Sequence, residues 1–241
     1  MKAVSYQIKP QHQPTNTTCS QTALSILLNH YGKNLSPLEI ETNVPQCVND
    51  KGEKMGTINQ QMATWCKKNG FDVTLYTFDF QIIDQTWSSL SYEQMTERLK
   101  QRKDGWVVPG IGEEWTRQYT QSYIDFISAG GDLHIRPAVT SKLLYELLQT
   151  GPFLPCVSYS TLYGAGRSRN ISETDSVDDD INGRAMNHSI VVYGNDEVGN
   201  FLIADPWKEP SLVSVEPERL IAAISAAQIE CDSLLFQIQP V

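Results

Sequence analysis

Four residues of this chain have types and spacings that together could break an amide bond: Gln13, Cys19, His188 and Asp205. A thiol is mostly protonated near neutral pH and attacks carbonyls well only where its surroundings favour the thiolate. A helix N-terminus supplies such surroundings through unpaired N–H groups and aligned peptide dipoles, and Cys19 stands where a long apolar-periodic segment begins. An imidazole beside it would take the thiol proton and later hand it to the leaving group, and a carboxylate would fix the tautomer of that imidazole. His188 and Asp205 suit those parts, and His12 is the only rival base. Gln13, six positions before the thiol, could aim a side-chain N–H at the oxygen that becomes negative during attack, alongside the backbone N–H of Cys19.

The elements that would position these residues follow from periodicity and capping. Ala23, Leu24, Leu27, Leu28 and Tyr31 recur at helical spacing before Gly32, so a buried or half-buried helix is expected over Ser20 to Tyr31, with Cys19 at its start. Ser36-Pro37-Leu38-Glu39 reads as a capping box, and Thr57-Ile58-Asn59-Gln60 as a second that opens a helix towards Lys68. Phe71, Val73 and Leu75 alternate as a half-buried strand does. Between Gln81 and Leu133, two helical segments, Ser91 to Lys103 and Glu113 to Ser128, form an expected helical insertion (81–133) that could cap the cleft. After the helix around Leu143 to Leu148 come short strands at Phe153 to Tyr159, Ser189 to Tyr193, Phe201 to Ala204, Leu212 to Val215 and Leu234 to Ile238, interrupted by a helix at Pro217 to Ala226. If His188 heads one strand of an antiparallel hairpin and Asp205 ends the next, the two lie side by side. Helices first and strands later imply an α+β fold, and 1–241 reads as a single domain.

Composition narrows the function classes. A formal charge of −9 argues against nucleic acid and anionic membrane surfaces and suits basic or neutral substrates. Met1 to Gln13 lacks the apolar core of a signal peptide, and no run reaches the length of a membrane span, so the cytosol is the expected compartment. Cys47, Cys66, Cys156 and Cys231 form no C-x-x-C pair and read as structural thiols, with no metal or cofactor implied. Asp178, Asp180, Asn182 and Gly183 match the start of a calcium loop, but Ser189 stands where its bidentate Glu belongs, so the polar stretch from Arg167 to Asn182 reads as a solvated loop.

The ordered set Gln13-x5-Cys19, Asn187-His188-Ser189 and Asp205-Pro206-Trp207 resembles the papain-like cysteine peptidases, and within them the peptidase family C-39-like branch, relatives of bacteriocin-processing double-glycine peptidases. The likeness covers Lys9 to Ser36 and Met186 to Trp207; many such domains carry Asp-Cys-Gly where this chain reads Thr18-Cys19-Ser20. It implies a papain-like fold with a nucleophile at Cys19, a base at His188, an orienting acid at Asp205, an oxyanion donor at Gln13, and a peptide or protein as substrate. Trp207, placed to shield the His-Asp pair from water, and Asn187, a weaker substitute for Asp205, are the expected substrate-binding residues. No exporter segment follows, so the front end of an exporter is not expected. Three outcomes stay open on these residues: hydrolysis of a peptide or isopeptide bond, acyl transfer or deamidation through the same thioester, and a papain-like binding module with little turnover.

Overall fold

A computed structural model describes the 241-residue chain except residues 1–2, 49–50, 53, 208, 210 and 231–232 and the side chains of 229 and 230, so Cys231 lies outside the described residues. Strand β1 (Val4–Ser5) precedes α1 (Cys19–His30), α2 (Pro37–Asn43), the short strands β2 (Cys47–Val48) and β3 (Lys54–Gly56), α3 (Asn59–Lys68) and β4 (Phe71–Thr77). A 3-10 turn (Gln85–Ser89) leads to α4 (Tyr92–Gly105), α5 (Glu113–Ser128), β5 (Asp132–Ile135), α6 (Ser141–Thr150), β6 (Leu154–Ser158) and α7 (Tyr159–Tyr163). The remainder is β7 (Ser168–Asn170), β8 (Ser176–Asp178), β9 (Asn187–Ser189), β10 (Val191–Asn195), β11 (Phe201–Ala204), β12 (Leu212–Val215), α8 (Pro217–Ala226) and β13 (Leu234–Pro240).

Capping chemistry sets several of these boundaries. Both halves of the capping box form at α2, between Ser36 and Glu39, and at α4, between Ser91 and Gln94. The box expected at Thr57 does not form. Helix α3 starts one turn position later behind Ile58, without a side-chain cap, because the Thr57 hydroxyl instead accepts from Gln21 Nε2. Gln21 is fully buried, and a buried amide without a partner costs more than an uncapped first turn.

Helix α1 is enclosed on every side from Ser20 to Leu28. Its leucines face the core, and its polar residues must therefore find partners inside the protein. Thr22 Oγ1 donates to Thr18 O at 2.8 Å, Ser25 Oγ donates to Leu35 O at 2.5 Å and receives Gln11 Nε2 at 2.8 Å, and Ser20 Oγ meets Ser189 Oγ at 2.8 Å. The last of these ties the first turn of α1 to strand β9.

Two larger sheets carry most of the remaining strands, besides the two-stranded pairs β2-β3 and β7-β8. One has the order β5-β4-β13-β6-β9 and the other β1-β10-β11-β12. They join through paired backbone bonds between Phe153 and Val192, so β9 and β10 run on as one bent ribbon interrupted at Ile190. Strand β13 is the spine: Leu234, Phe236 and Ile238 face a core shared with α1, α3 and α5, while Leu235 faces a second core shared with α6 and α8. The pairings are antiparallel except that of β4 with β5, which is parallel. That parallel pair requires a long crossover, and α4 and α5 form it, with Trp115, Tyr119, Tyr123 and Phe126 of α5 buried in the first core. The architecture is a papain-like α+β fold. Among the described residues no helix is long and apolar enough to cross a membrane.

Candidate active site

Cys19 is the first residue of α1, and no side chain caps that turn: the hydroxyl of the preceding Thr18 is engaged with Thr15 instead. The first N–H groups of the helix thus remain turned towards the thiol end. Strand β9 passes beside this turn, held by the Ser20–Ser189 bridge, and brings His188 onto the same cleft as the thiol, near enough for the two groups to shift each other's protonation. His188 Nε2 lies 2.7 Å from Asp205 Oδ1, which leaves Nδ1 for Cys19.

The route that joins His188 to Asp205 differs from a simple hairpin. The β10–β11 ladder pairs Val191 with Ala204, and the chain bends at Ile190, so His188 belongs to β9 and pairs with Val157 of β6. Asp205, the residue after β11, completes the contact from the neighbouring sheet. It is fully buried, and its second oxygen accepts from the Tyr163 hydroxyl at 2.5 Å while the Trp207 backbone N–H donates to Oδ1 at 2.7 Å.

Charge decides the protonation of this group. Burial raises the free energy of the Asp205 carboxylate, but the His188 imidazolium and the donors from His188, Tyr163 and Trp207 outweigh it and hold the carboxyl well below its ordinary range. Burial likewise disfavours a charged His188, yet the Asp205 charge and hydrogen bond, with help from Cys19, push it up to about 10. Burial pushes the Cys19 thiol up, and the His188 contact, the Ser189 backbone N–H and the Ser20 hydroxyl pull it below the ordinary value. An imidazolium and a thiolate side by side are the arrangement these shifts favour.

A cleft of about 100 Å³ opens over the thiol, lined among others by Gln13, Cys19, Asn187, His188 and Trp207. Gln13 is held by its backbone N–H to Pro206 O at 2.9 Å, and its Nε2 donates to Thr15 O at 2.7 Å, which leaves the second amide hydrogen uncommitted. Trp207 stacks on His12 with ring centroids 6.2 Å apart, and its backbone rather than its ring touches Asp205. Asn187 lines the cleft, but its Nδ2 donates to Ala227 O at 2.8 Å. His12 faces Glu209 outside the cleft lining, His30 faces Gln7 O, and His134 faces Asp132. Cys66 is buried in apolar packing that drives its thiol upward.

Two contributors escaped the sequence reading. Tyr159 and Tyr163 stand one helical turn apart on α7, the first edge-on to the His188 ring at 5.6 Å and the second on Asp205. Their i, i+4 spacing after the N-capping Ser158 was the available signal. The other is the stretch read as a solvated loop. It forms a hairpin, β7 and β8, whose Ser168, Ser176 and Asp178 line the cleft. No residue of 81–133 does so, which removes that segment as the cap of this cleft. Asn16 pins the hairpin tip with three bonds, from its backbone N–H to Glu173 O at 2.8 Å and from Nδ2 to Ser172 O and Asp175 O at 3.0 Å each. The turn that follows is held by Asp179 Oδ1, which receives the N–H groups of Ile181 and Asn182.

Comparison with known proteins places this geometry in a family. No curated protein matches the chain. Among solved structures, a protein of Bacillus anthracis described as a C39-like peptidase superposes with a TM-score of 0.50 at 12% identity, covering 100% of this chain and 99% of that one. The peptidase domain of Streptococcus ComA, a bifunctional ABC transporter involved in quorum sensing, matches with a TM-score of 0.44 at 16% identity over 98% of this chain and 99% of that one. The Peptidase_C39 like family model matches residues 4–216, and the chain therefore belongs to that family of cysteine peptidases.

Proposed function

We propose that this protein is a cysteine hydrolase that cleaves a peptide or isopeptide bond in a peptide or protein substrate, working as a single domain over 1–241. The observation that carries the reading is that Cys19 and His188 line one cleft, with His188 bonded at 2.7 Å to the buried Asp205. In the resting state the thiol proton rests on His188 Nδ1, and Asp205 stays ionised throughout, holding Nε2 as the donor. The Cys19 sulfur attacks the scissile carbonyl carbon. The oxygen of that carbonyl takes up the electron pair and is stabilised by the second amide hydrogen of Gln13 and the backbone N–H of Cys19. When the C–N bond breaks, the leaving amine takes the proton from Nδ1 and an acyl thioester remains on Cys19. Water then gives a proton to Nδ1 and its oxygen attacks the thioester; the sulfur leaves as thiolate, and the acid product departs. Trp207 and Asn187 contact the substrate from the cleft wall. We place the enzyme in the cytosol, where a nucleophilic thiol such as Cys19 stays reduced.

The test is profiling of wild type and Cys19→Ala against a mixed peptide and isopeptide library, with labelling by a thiol-directed electrophile. Wild type is expected to cleave members of the library and to take the label at Cys19. Cleavage that survives Cys19→Ala would overturn the reading.

A further inference from the structure

The hairpin over the cleft gives this site a chemical preference that the nucleophile alone does not. Strand alternation turns Ser176 and Asp178 of β8 to one face and Val177 to the other, and it is the Ser176–Asp178 face, with Ser168 opposite Asp178, that lines the cleft. Asp178 is exposed there, and among the described residues no ion pair engages it. Two neighbouring cations are committed to other groups, Arg169 Nε at 3.5 Å from Asp179 Oδ2 and an Arg167 amino group donating to Asp180 O, and Arg184, bridged to Ser168 through its backbone, lies outside the cleft lining. Among the described residues, the cleft lining contains no Lys or Arg.

A second, independent observation points the same way. Gln13 Oε1 and Asn16 Oδ1 are enclosed and lack any donor, and both residues are more than nine-tenths buried and line the same cleft. Their amide orientations are fixed, because each Nδ2 or Nε2 is bound to backbone carbonyls that can only accept. Two acceptor oxygens without a matching donor thus stand in the wall around the thiol. Tyr159 and Trp207 add aromatic surface to it, and an aromatic face beside a carboxylate favours a cation.

We infer that the cleft selects a substrate bearing a cationic group, a Lys or Arg side chain or a free amino terminus, next to the scissile bond, with Asp178 as the residue that determines this preference. The inference deepens the hydrolase reading and rests on Cys19 being the reacting thiol.

The experiment compares two thiol reagents of similar size and opposite charge, trimethylammonioethyl and sulfonatoethyl methanethiosulfonate. Each is attacked by the Cys19 sulfur to form a mixed disulfide with release of methanesulfinate, so modification is read without any turnover. Wild type is expected to react at Cys19 about tenfold faster with the cationic reagent, the size of effect one carboxylate at close range can exert. Asp178→Asn should bring the ratio down to about threefold or less, while Asp180→Asn, which alters net charge equally but lies outside the cleft lining, should leave it unchanged. In parallel, wild type is expected to cleave Lys- or Arg-containing library peptides in preference to their Glu counterparts, and Asp178→Asn to lose that bias. A wild-type ratio near one, or a ratio that Asp178→Asn leaves intact, would overturn the inference while leaving the hydrolase reading standing. Turnover that persists in Cys19→Ala would instead remove the hydrolase reading, and the reagent ratio would still report on the cleft.

Discussion

Replacing Asp205 by Asn separates charge from shape at the centre of this site. Three donors meet the carboxylate: His188 Nε2 at 2.7 Å and the Trp207 N–H at 2.7 Å on one oxygen, and the Tyr163 hydroxyl at 2.5 Å on the other. An Asn side chain can keep its oxygen facing His188 and Trp207 and turn its NH2 to Tyr163, whose hydroxyl rotates to accept. The packing survives and the negative charge is gone. In the native protein burial works against the imidazolium, yet His188 reaches about 10 from an ordinary 6.5, chiefly because of the Asp205 charge. A rise of that size corresponds to about 5 kcal/mol of preference for the protonated ring. Without it, burial dominates, His188 is neutral at neutral pH, and the Cys19 thiolate loses its counter-charge. Rates of alkylation by iodoacetamide should show this directly, measured between about pH 4 and 9 with Cys19 resolved by peptide mass spectrometry from the other thiols. Wild-type Cys19 should react at a rate that stays high well below the ordinary thiol pKa. The Asp205→Asn profile should move to alkaline pH, with the rate near pH 6 down by about tenfold to a thousandfold, since each pKa unit is one decade. Superimposable profiles, or a wild-type Cys19 that titrates as an ordinary thiol, would refute the electrostatic account.

Further expectations concern the supports of the site. Tyr163→Phe removes one donor from a buried carboxylate and should lower unfolding free energy by about 1.5–3 kcal/mol in urea denaturation, the range for a hydrogen bond to a charged group; a change below a few tenths would deny Tyr163 this part. The His188–Asp205 pair also sets a pH dependence of stability. His188, raised in the folded state from 6.5 to about 10, stabilises fully below 6.5 and loses that contribution as pH rises towards 10. Asp205, depressed from 3.8, stabilises fully above 3.8 and loses that contribution as pH falls below it. The stability difference between wild type and His188→Ala should therefore be largest between 3.8 and 6.5 and shrink on both sides in pH-resolved denaturation. Asn16→Ala cuts the two side-chain bonds to Ser172 and Asp175 and should make the hairpin several-fold more susceptible to trypsin at Arg167 and Arg169; an unchanged cleavage rate would show that other contacts hold it.

Much of the scaffold was legible in local sequence because its causes are local. The helix behind Cys19, the capping box at Ser36, the helix expected over Ser91 to Lys103, the helix Glu113–Ser128 and the strands Phe201–Ala204 and Leu212–Val215 rest on periodicity and end signals contained within each segment. The box at Thr57 failed where a buried amide on another helix competed for the same hydroxyl. Gln13, Cys19 and His188 line one cleft; the sequence offered them as a set through their residue types and through resemblance to a family, not through local periodicity.

What tertiary structure alone decided is who stands behind and in front of those residues. Tyr163 reaches Asp205 from a separate short helix, and Asn16 holds the tip of a hairpin more than 150 residues away. Ser20 joins the first turn of its helix to Ser189. The Asn16 and Ser20 contacts leave no periodic trace in sequence: a polar side chain reads as solvated until the fold closes over it, and a hydroxyl reads as a cap until a better partner arrives. The sequence by itself determined which groups could do the chemistry, since residue type sets reactivity. Only the fold determined their protonation and the walls of the cleft, since burial and the distance between charges exist only once distant segments are packed together.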